Sequence, residues 1–375
     1  MTAPLIKGWC PGAYRPMASG DGLVVRVRPW MGELTALQAL SLCAVAERFG
    51  TSALEVTSRA NLQIRGVSEA DHGAVIDALL TAELLDADPA MEGRRNLLMT
   101  PDWQAGDVTH GLAEALLGAL SHLPDLPAKF GYAIDTGTEP WLAEAPADIR
   151  LECDATGGLI LVADGAGKGR AVTPKAAIPA LIEMVGWFVN TGGRDAGRMA
   201  RHLRATPLPA DWEEIPRRVA QPPSASAHGT LVGVPFGQID TAALRAFIDG
   251  GAVKTVRVLP GRLLLATGTA LSRPDGFCAP DDPILNVHAC TGAPGCPQAL
   301  GPTRPLARAL ARTLAPGETL HVSGCTKGCA HPRAADRTYV ATPSGFDLVS
   351  CGAPWDAPIA RDLTPDVILK PTPQG

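Results

Sequence analysis

Two short cysteine pairs near the end of the chain constrain what it can fold into more than any other feature. HACTGAPGCPQ places five residues between Cys290 and Cys296, and SGCTKGCAHP places three between Cys325 and Cys329. Gly292, Gly295, Gly324 and Gly328 free the backbone to wrap closely and aim amides at sulfur, while Pro294 and Pro297 stiffen the turns. Such loops suit a bulky anionic [4Fe-4S] cluster held by four thiolates. A tetrahedral zinc site is the alternative, but its pairs are usually separated by two to four residues, and this spacing fits it poorly. His288 and His331 flank the pairs and read as polar residues at loop edges, and Lys327, inside the second pair, either offsets cluster charge or is a solvated loop lysine. The chain holds nine cysteines. Cys10, Cys43, Cys153, Cys278 and Cys351 have no close partner in sequence and read as ordinary thiols, Cys10 as a buried structural one.

Composition narrows the class. With 33 basic against 38 acidic residues in 375, the net charge is −5 and no long basic run exists, which argues against a nucleic-acid partner. The apolar stretch 176–189 is interrupted by Pro179 and Glu183 and falls short of the ~20 residues a spanning helix needs, so no membrane partner is expected. MTAPLIKGWCPG lacks the apolar core of a signal peptide, and an odd cysteine count argues against a disulfide framework. The expected compartment is the cytoplasm.

A proline-rich linker is expected at 204–229, and the same pattern starts on either side of it. LVVRVRPWMGELTALQAL and TLVGVPFGQIDTAALRAF both give a β-rich run, a proline turn and a helix opened by an N-cap residue, Thr35 in one copy and Asp240 in the other. Leu37, Leu40, Ala44 and Val45 recur at helical spacing before Gly50 ends the first helix. The chain is therefore expected to be an internally duplicated α+β protein.

VTSRANLQIRG alternates. Val56, Ser58, Ala60, Leu62 and Ile64 are small or apolar, and Thr57, Arg59, Asn61, Gln63 and Arg65 are polar. Read as one strand, this gives a packed face and a face of guanidiniums and amides able to hold carboxylates. The matching strand of the second copy, VRVLPGRLLLATG, lacks that face, so the duplication is expected to be functionally asymmetric. Arg94, Arg95 and Asn96 in EGRRNLL, and Lys129 in LPAKFGYAID, extend the basic set toward a pocket for a polyanionic ligand.

Thr57, Arg59, Asn61 and Gln63, with Arg95, Asn96 and the four cysteines, resemble the sulfite and nitrite reductase family over most of the chain. The resemblance implies two ferredoxin-like half-domains at 15–75 and 230–272, and two mixed α/β domains at 76–203 and 273–370, the last carrying the cysteines. In the reductases two arginines and two lysines grip the substrate anion. Here the K-F-K element reads Lys129, Phe130 and Gly131, so one lysine is glycine.

GWCPGAYRPMASGDGLVVRVRP and KFGYAID resemble the precorrin-3B synthase branch of that superfamily. What this implies is a mono-oxygenase that uses O2 to hydroxylate precorrin-3A at C20 and close a γ-lactone in cobalamin biosynthesis, with a [4Fe-4S] cluster and a mononuclear non-haem iron. The tetrapyrrole's carboxylates would be held by Arg59, Asn61, Gln63, Arg65, Arg95, Asn96 and Lys129. The eight histidines form no facial-triad pattern, so no residue is assigned to the iron or to catalysis. DGAGKGR at 164–170 reads as a turn rather than a nucleotide loop, and electrons are expected from a separate NADH-using reductase. The alternatives are an assimilatory sulfite or nitrite reductase carrying sirohaem, and a zinc-stabilised tetrapyrrole-binding protein without catalysis.

Overall fold

The computed structural model describes residues 11–219, 226, 228–250, 252–269 and 272–370. The Cys10 reading falls outside the described residues. Four sheets organise the described residues, and the expected duplication governs all of them.

The first sheet orders strands Met17–Ser19, Gly22–Val27, Leu62–Val67, Ala53–Val56 and Gln238–Asp240. The second orders Thr230–Gly233, Leu263–Thr269, Ala252–Leu259 and Glu33–Thr35. Each half-domain thus lends one short strand to the other: Glu33–Thr35 pairs with the second copy, and Gln238–Asp240 pairs with the first. The two copies consequently share one core, in which Leu34, Leu42, Leu54 and Ile64 meet Val232, Val256 and Leu264.

Helices Ala36–Phe49 and Thr241–Asp249 follow the exchanged strands and pack together, with Arg245 bidentate on Glu47 at 2.8 and 2.9 Å. Both N-caps are as expected. The Thr35 hydroxyl accepts from the Gln38 amide within a capping box, and the Asp240 carboxylate accepts from the Ala242 and Ala243 amides. Both helices are preceded by a turn whose central residue has positive φ, Met31 at 51° and Phe236 at 58°. The buried face of the first helix differs from the expected one. Ala39, Leu42, Cys43, Val45 and Ala46 face the core, whereas Leu37 is 74% exposed and Ala44 is exposed. Small residues on the inner face let the helix lie close to the sheet, and the larger Leu37 is left outside.

The third sheet orders Ile215–Pro216, Lys168–Ala171, Leu159–Ala163, Ile149–Cys153, Tyr132–Asp135 and Leu97–Met99. The fourth orders Val287–Ala289, Leu320–Ser323, Ala335–Thr342, Gly345–Gly352 and Ala360–Leu363. In chain order both run parallel, parallel, antiparallel, antiparallel. Each also places one helix of two or more turns, Val108–Ala119 or Arg304–Ala311, between its first two strands. The repeat therefore extends from the half-domains to the α/β domains.

Pro179 lies inside the continuous helix Pro174–Asn190 without ending it, because it is early enough to lose little of the hydrogen-bond ladder. The first part of the proline-rich segment is built into the third sheet. Ile215–Pro216 pairs with Lys168 and Gly169, Trp212 is buried, and Arg217 is bidentate on Glu152. DGAGKGR forms a turn entering strand Lys168–Ala171, as expected. No helix among the described residues is long and apolar enough to cross a membrane.

Candidate functional site

The polar stretch is a hairpin and not the single strand expected from its alternation. Ala53–Val56 and Leu62–Val67 are antiparallel partners, and residues 57–61 connect them. The Thr57 amide donates to the Asn61 carbonyl at 2.8 Å, the Thr57 hydroxyl accepts from the Arg59 and Asn61 amides, and Ala60 takes a φ of 52°. Thr, Ser and Asn hydrogen-bond their own backbone in turns, and here that preference overrides the strand pattern.

Arg59 is consequently at a hairpin tip, where its guanidinium donates to the Lys129 carbonyl at 2.7 Å. Arg59, Asn61, Asn96 and Gly131 line one narrow cleft with Leu98 and Pro146. A Cβ at Gly131 would stand 3.1 Å from the Asn96 carbonyl oxygen, so this side of the cleft is bare backbone. Asn96 accepts from Arg28 at 3.1 Å, donates to the Phe130 carbonyl at 3.2 Å, and also lines a neighbouring cavity of about 350 Å³ walled by Arg94, Leu123, Phe130 and Tyr132. Lys129 is exposed at the rim.

The remaining basic residues are placed differently. Arg95 is buried, pairs with Glu92, donates to the Arg28 carbonyl and stacks on Trp30 at 3.7 Å, so it holds the fold under the site rather than lining it. Arg65 is bidentate on Asp21 at 2.9 and 3.0 Å, donates to the Ser19 hydroxyl and approaches Glu55 at 3.6 Å. Burial works against its charge, but Glu55, Asp21 and the Cys296 thiol hold its proton on. Glu55 also accepts from Arg304, whose neighbour Thr303 donates from its hydroxyl to the Cys290 carbonyl at 2.6 Å. Arg65 is therefore part of an ionic chain joining the hairpin to the cysteine loops.

Gln63 is half-buried and faces Arg26 on one neighbouring strand and Glu55 on the other. Arg26 and Arg28 belong to this polar region and went unnoticed in sequence. The signal was present as a second polar alternation, V-R-V-R, in Gly22–Val27 and the residue that follows it.

Both cysteine loops leave the carboxyl ends of neighbouring strands in the fourth sheet. Cys290 follows Val287–Ala289, Cys325 follows Leu320–Ser323, and these strands are parallel neighbours. The Gly324 amide donates to the Cys290 sulfur at 3.2 Å, and a Cβ at Gly324 would crowd Ala299. Gly292 and Gly328 adopt φ values of 67° and 65°, and a Cβ on either would press on Thr303 or Pro354. The Cys329 thiol is pushed up by surrounding protein and by Cys290, Cys325 and Cys296, against the pull of Lys327. Four thiols from two loops thus share one electrostatic neighbourhood. Among the described residues no three His, Cys, Asp or Glu side chains are grouped to hold a single metal ion. Of the other cysteines, Cys43 and Cys278 are buried, and burial pushes their thiols up to about 12 and about 11.

Next to these loops the fold assembles a group not visible as a sequence motif. His288 and His331 stack with ring centroids 4.1 Å apart, and His321 lies edge-on to His331 at 5.9 Å. His288 and His321 are cross-strand partners. Burial, then the nearby Arg262, pushes His288 down to about 2, and burial then His331 pushes His321 down to about 4, so all three rings are neutral near pH 7. A faint signal existed. Each histidine is within four residues of a paired cysteine, in H-A-C, H-V-S-G-C and C-A-H.

Comparison with known proteins bears on this geometry. Residues 15–82 match the model of the nitrite/sulfite reductase ferredoxin-like half domain. The chain is 32% identical over 399 aligned positions to a precorrin-3B synthase from Sinorhizobium sp., covering 96% of this chain and 86% of that protein. It is 25% identical to the ferredoxin–nitrite reductase of Synechococcus elongatus, with 88% and 78% covered. The structure of the Mycobacterium tuberculosis NirA protein superposes with a TM-score of 0.63 at 17% identity, over 92% of this chain and 79% of that one, which is a likeness of fold.

Proposed function

The chain belongs to the precorrin-3B synthase family, within the nitrite and sulfite reductase superfamily, and we propose that it converts precorrin-3A to precorrin-3B in cobalamin biosynthesis, hydroxylating C20 with O2 and closing the γ-lactone. It is an oxidoreductase. The observation that carries the reading, beyond the 32% identity over nearly the full chain, is the cleft in which Arg59, Asn61 and Asn96 converge opposite the bare backbone of Gly131.

A methylated polycarboxylate macrocycle needs fixed donors for its carboxylates and an unobstructed floor for its ring. Arg59 offers a planar fork that matches a carboxylate in two parallel hydrogen bonds. The exposed Lys129 ammonium adds a mobile charge at the rim, and the Asn61 amide supplies a neutral donor. Gly131 stands where the reductase pattern carries a second lysine, which removes a charge suited to a small oxyanion and leaves bare backbone beside Asn96.

Cys290, Cys296, Cys325 and Cys329 fit a [4Fe-4S] cluster. Their loops present a backbone amide to sulfur and are closed by glycines that no larger residue could replace without displacing neighbours. When bound, the cluster and a mononuclear non-haem iron supply electron transfer and oxygen activation, while the protein supplies placement and charge. Electrons come from a separate reductase that uses NADH.

Anaerobic iron and sulfide quantitation with an absorption spectrum tests the reading. The expected result is four cluster irons with matching sulfide and the broad brown absorption of thiolate-ligated iron. The similarity to nitrite reductases favours sirohaem as the second reading. Soret and red bands accompanied by nitrite or sulfite turnover would establish it instead.

A further inference from the structure

Two arginines stand between the polar hairpin and the cysteine loops, and carboxylates hold both of them there. Arg65 donates to Asp21 through Nε and Nη2 at 3.0 and 2.9 Å and to the Ser19 hydroxyl at 2.8 Å, and it faces Glu55 at 3.6 Å. Ser19 and Asp21 flank the turn between the first two strands. Gly20, the residue between them, lies directly on Pro297, and a Cβ there would overlap the proline ring. Pro297 follows Cys296 in sequence, so the turn that clamps Arg65 is seated on the first cysteine loop. Arg304 donates to Glu55 at 2.8 Å, and its neighbour Thr303 holds the Cys290 carbonyl.

We propose that Arg65 and Arg304 are electrostatic positioning residues for the four-thiolate cluster. Their guanidinium charges stabilise its reduced form and so set the potential at which it accepts an electron, while Glu55 acts in the opposite sense. This role rests on the cluster reading above and not on the identity of the tetrapyrrole.

A cluster with its thiolates is anionic, and an electron delivered by the reductase adds one more negative charge without changing the ligands. A fixed positive charge nearby favours that form, and a fixed negative charge disfavours it. Solvent screens these charges little, because the side chains of Arg65, Arg304 and Glu55 are no more than 18% exposed. Burial opposes the charge on Arg65, and Glu55, Asp21 and the Cys296 thiol sustain it, so guanidinium and sulfur already act on one another. The Nε of Arg304 is buried and meets no hydrogen-bond acceptor among the described residues. A buried guanidinium N–H in that state is a donor available to an anionic group. Asp21 and Glu55 balance the two arginines in number, so what the cluster feels depends on which charges stand closest, and mutation separates the sign of each.

The test is an anaerobic potentiometric titration of the cluster-containing protein with redox mediators, read from the EPR signal of the one-electron-reduced cluster. Iron and sulfide are measured for every variant. Arg65→Gln and Arg304→Gln are each expected to make reduction at least threefold less favourable, a midpoint lowered by about 28 mV at ~59 mV per tenfold. Glu55→Gln is expected to raise the midpoint, and Arg65→Lys, which keeps the charge but not the fork, to leave it within that margin. Loosened packing, by contrast, lets water reach the cluster in every variant and moves all midpoints the same way. Midpoints that stay in place, that shift in one direction throughout, or that fall as far in Arg65→Lys as in Arg65→Gln overturn the assignment. Should Arg65→Gln fail to fold, Arg304→Gln set against Glu55→Gln decides. A wild type without cluster iron and sulfide overturns the cluster reading and this role with it, whereas a full cluster with unmoved midpoints overturns the role alone.

Discussion

Glu55 accepts a hydrogen bond from Arg304 at 2.8 Å, and this pair ties the polar hairpin of the first half-domain to the helix that follows the first cysteine loop. The same carboxylate faces Arg65 at 3.6 Å, so one acidic residue is shared by two arginines from different domains. Both arginines and Glu55 are largely buried in this junction.

Glu55→Gln should therefore loosen the junction without unfolding either core. A charged hydrogen bond of this kind contributes about 1.5–3 kcal/mol. Denaturant unfolding should show a loss of that order, and the rate at which a chelator strips iron from the native protein should rise.

Arg59 and Arg95 look alike in sequence and should behave oppositely on mutation. Arg59→Ala removes a cleft donor at a hairpin tip, so affinity for precorrin-3A should fall roughly 10- to 100-fold, with cluster content and thermal midpoint unchanged. Arg95→Ala leaves Glu92 facing Arg28 alone beneath the site, and breaking a buried pair this way costs about 3–5 kcal/mol. Calorimetry should show a strongly lowered midpoint or no folded protein. Unaltered precorrin-3A affinity in Arg59→Ala would remove that residue from the site.

Cys325→Ser or Cys329→Ser should abolish the cluster, and each variant should retain little iron or sulfide. Cys351→Ser is the control. That thiol is exposed and outside the paired loops, so iron and sulfide should match the wild type. Full metal content in Cys329→Ser would contradict the ligand set.

Asp135 makes a pH prediction. Burial pushes its carboxyl from 3.8 up to about 6, partly countered by the hydrogen bond from the Leu142 amide, and its second oxygen has no partner. Because the folded form holds a proton that the unfolded chain releases, its contribution is complete below about pH 4 and is lost as pH rises through about 6. Glu47, Asp154 and Asp336 are held below the usual carboxylate range and act in the opposite sense at lower pH. The difference between wild type and Asp135→Asn isolates the single group. The variant keeps an acceptor for Leu142 and should gain up to about 3 kcal/mol relative to wild type by pH 7, read from urea unfolding at several pH values.

Local chemistry made part of this legible. Thr35 and Asp240 cap helices because their side chains accept from the amides just ahead of them, a relation confined to a few residues, and the repeat could be found from such caps and the turns before them. Alternation failed at Arg59 for the same local reason, since Thr57 and Asn61 closed a turn that a period-two count does not register. What sequence could not carry is convergence. Arg95 and Arg59 differ in role only because Glu92 and Trp30 wait for one and the carbonyl of Lys129 for the other. His288, His321 and His331 meet only because two strands pair in register and a loop folds back across them. The extension of the repeat to the α/β domains was hidden for a related reason: strand order survived where residue identities, the cysteines above all, did not.

Conversion of precorrin-3A under isotopically labelled O2, with a reductase and NADH supplied and the product analysed by mass spectrometry, tests the central claim most directly. The account predicts a hydroxylated γ-lactone carrying one labelled oxygen atom, formed by a protein that contains cluster iron and no sirohaem. An unlabelled or unchanged tetrapyrrole, together with bound sirohaem and turnover of nitrite or sulfite, would contradict it.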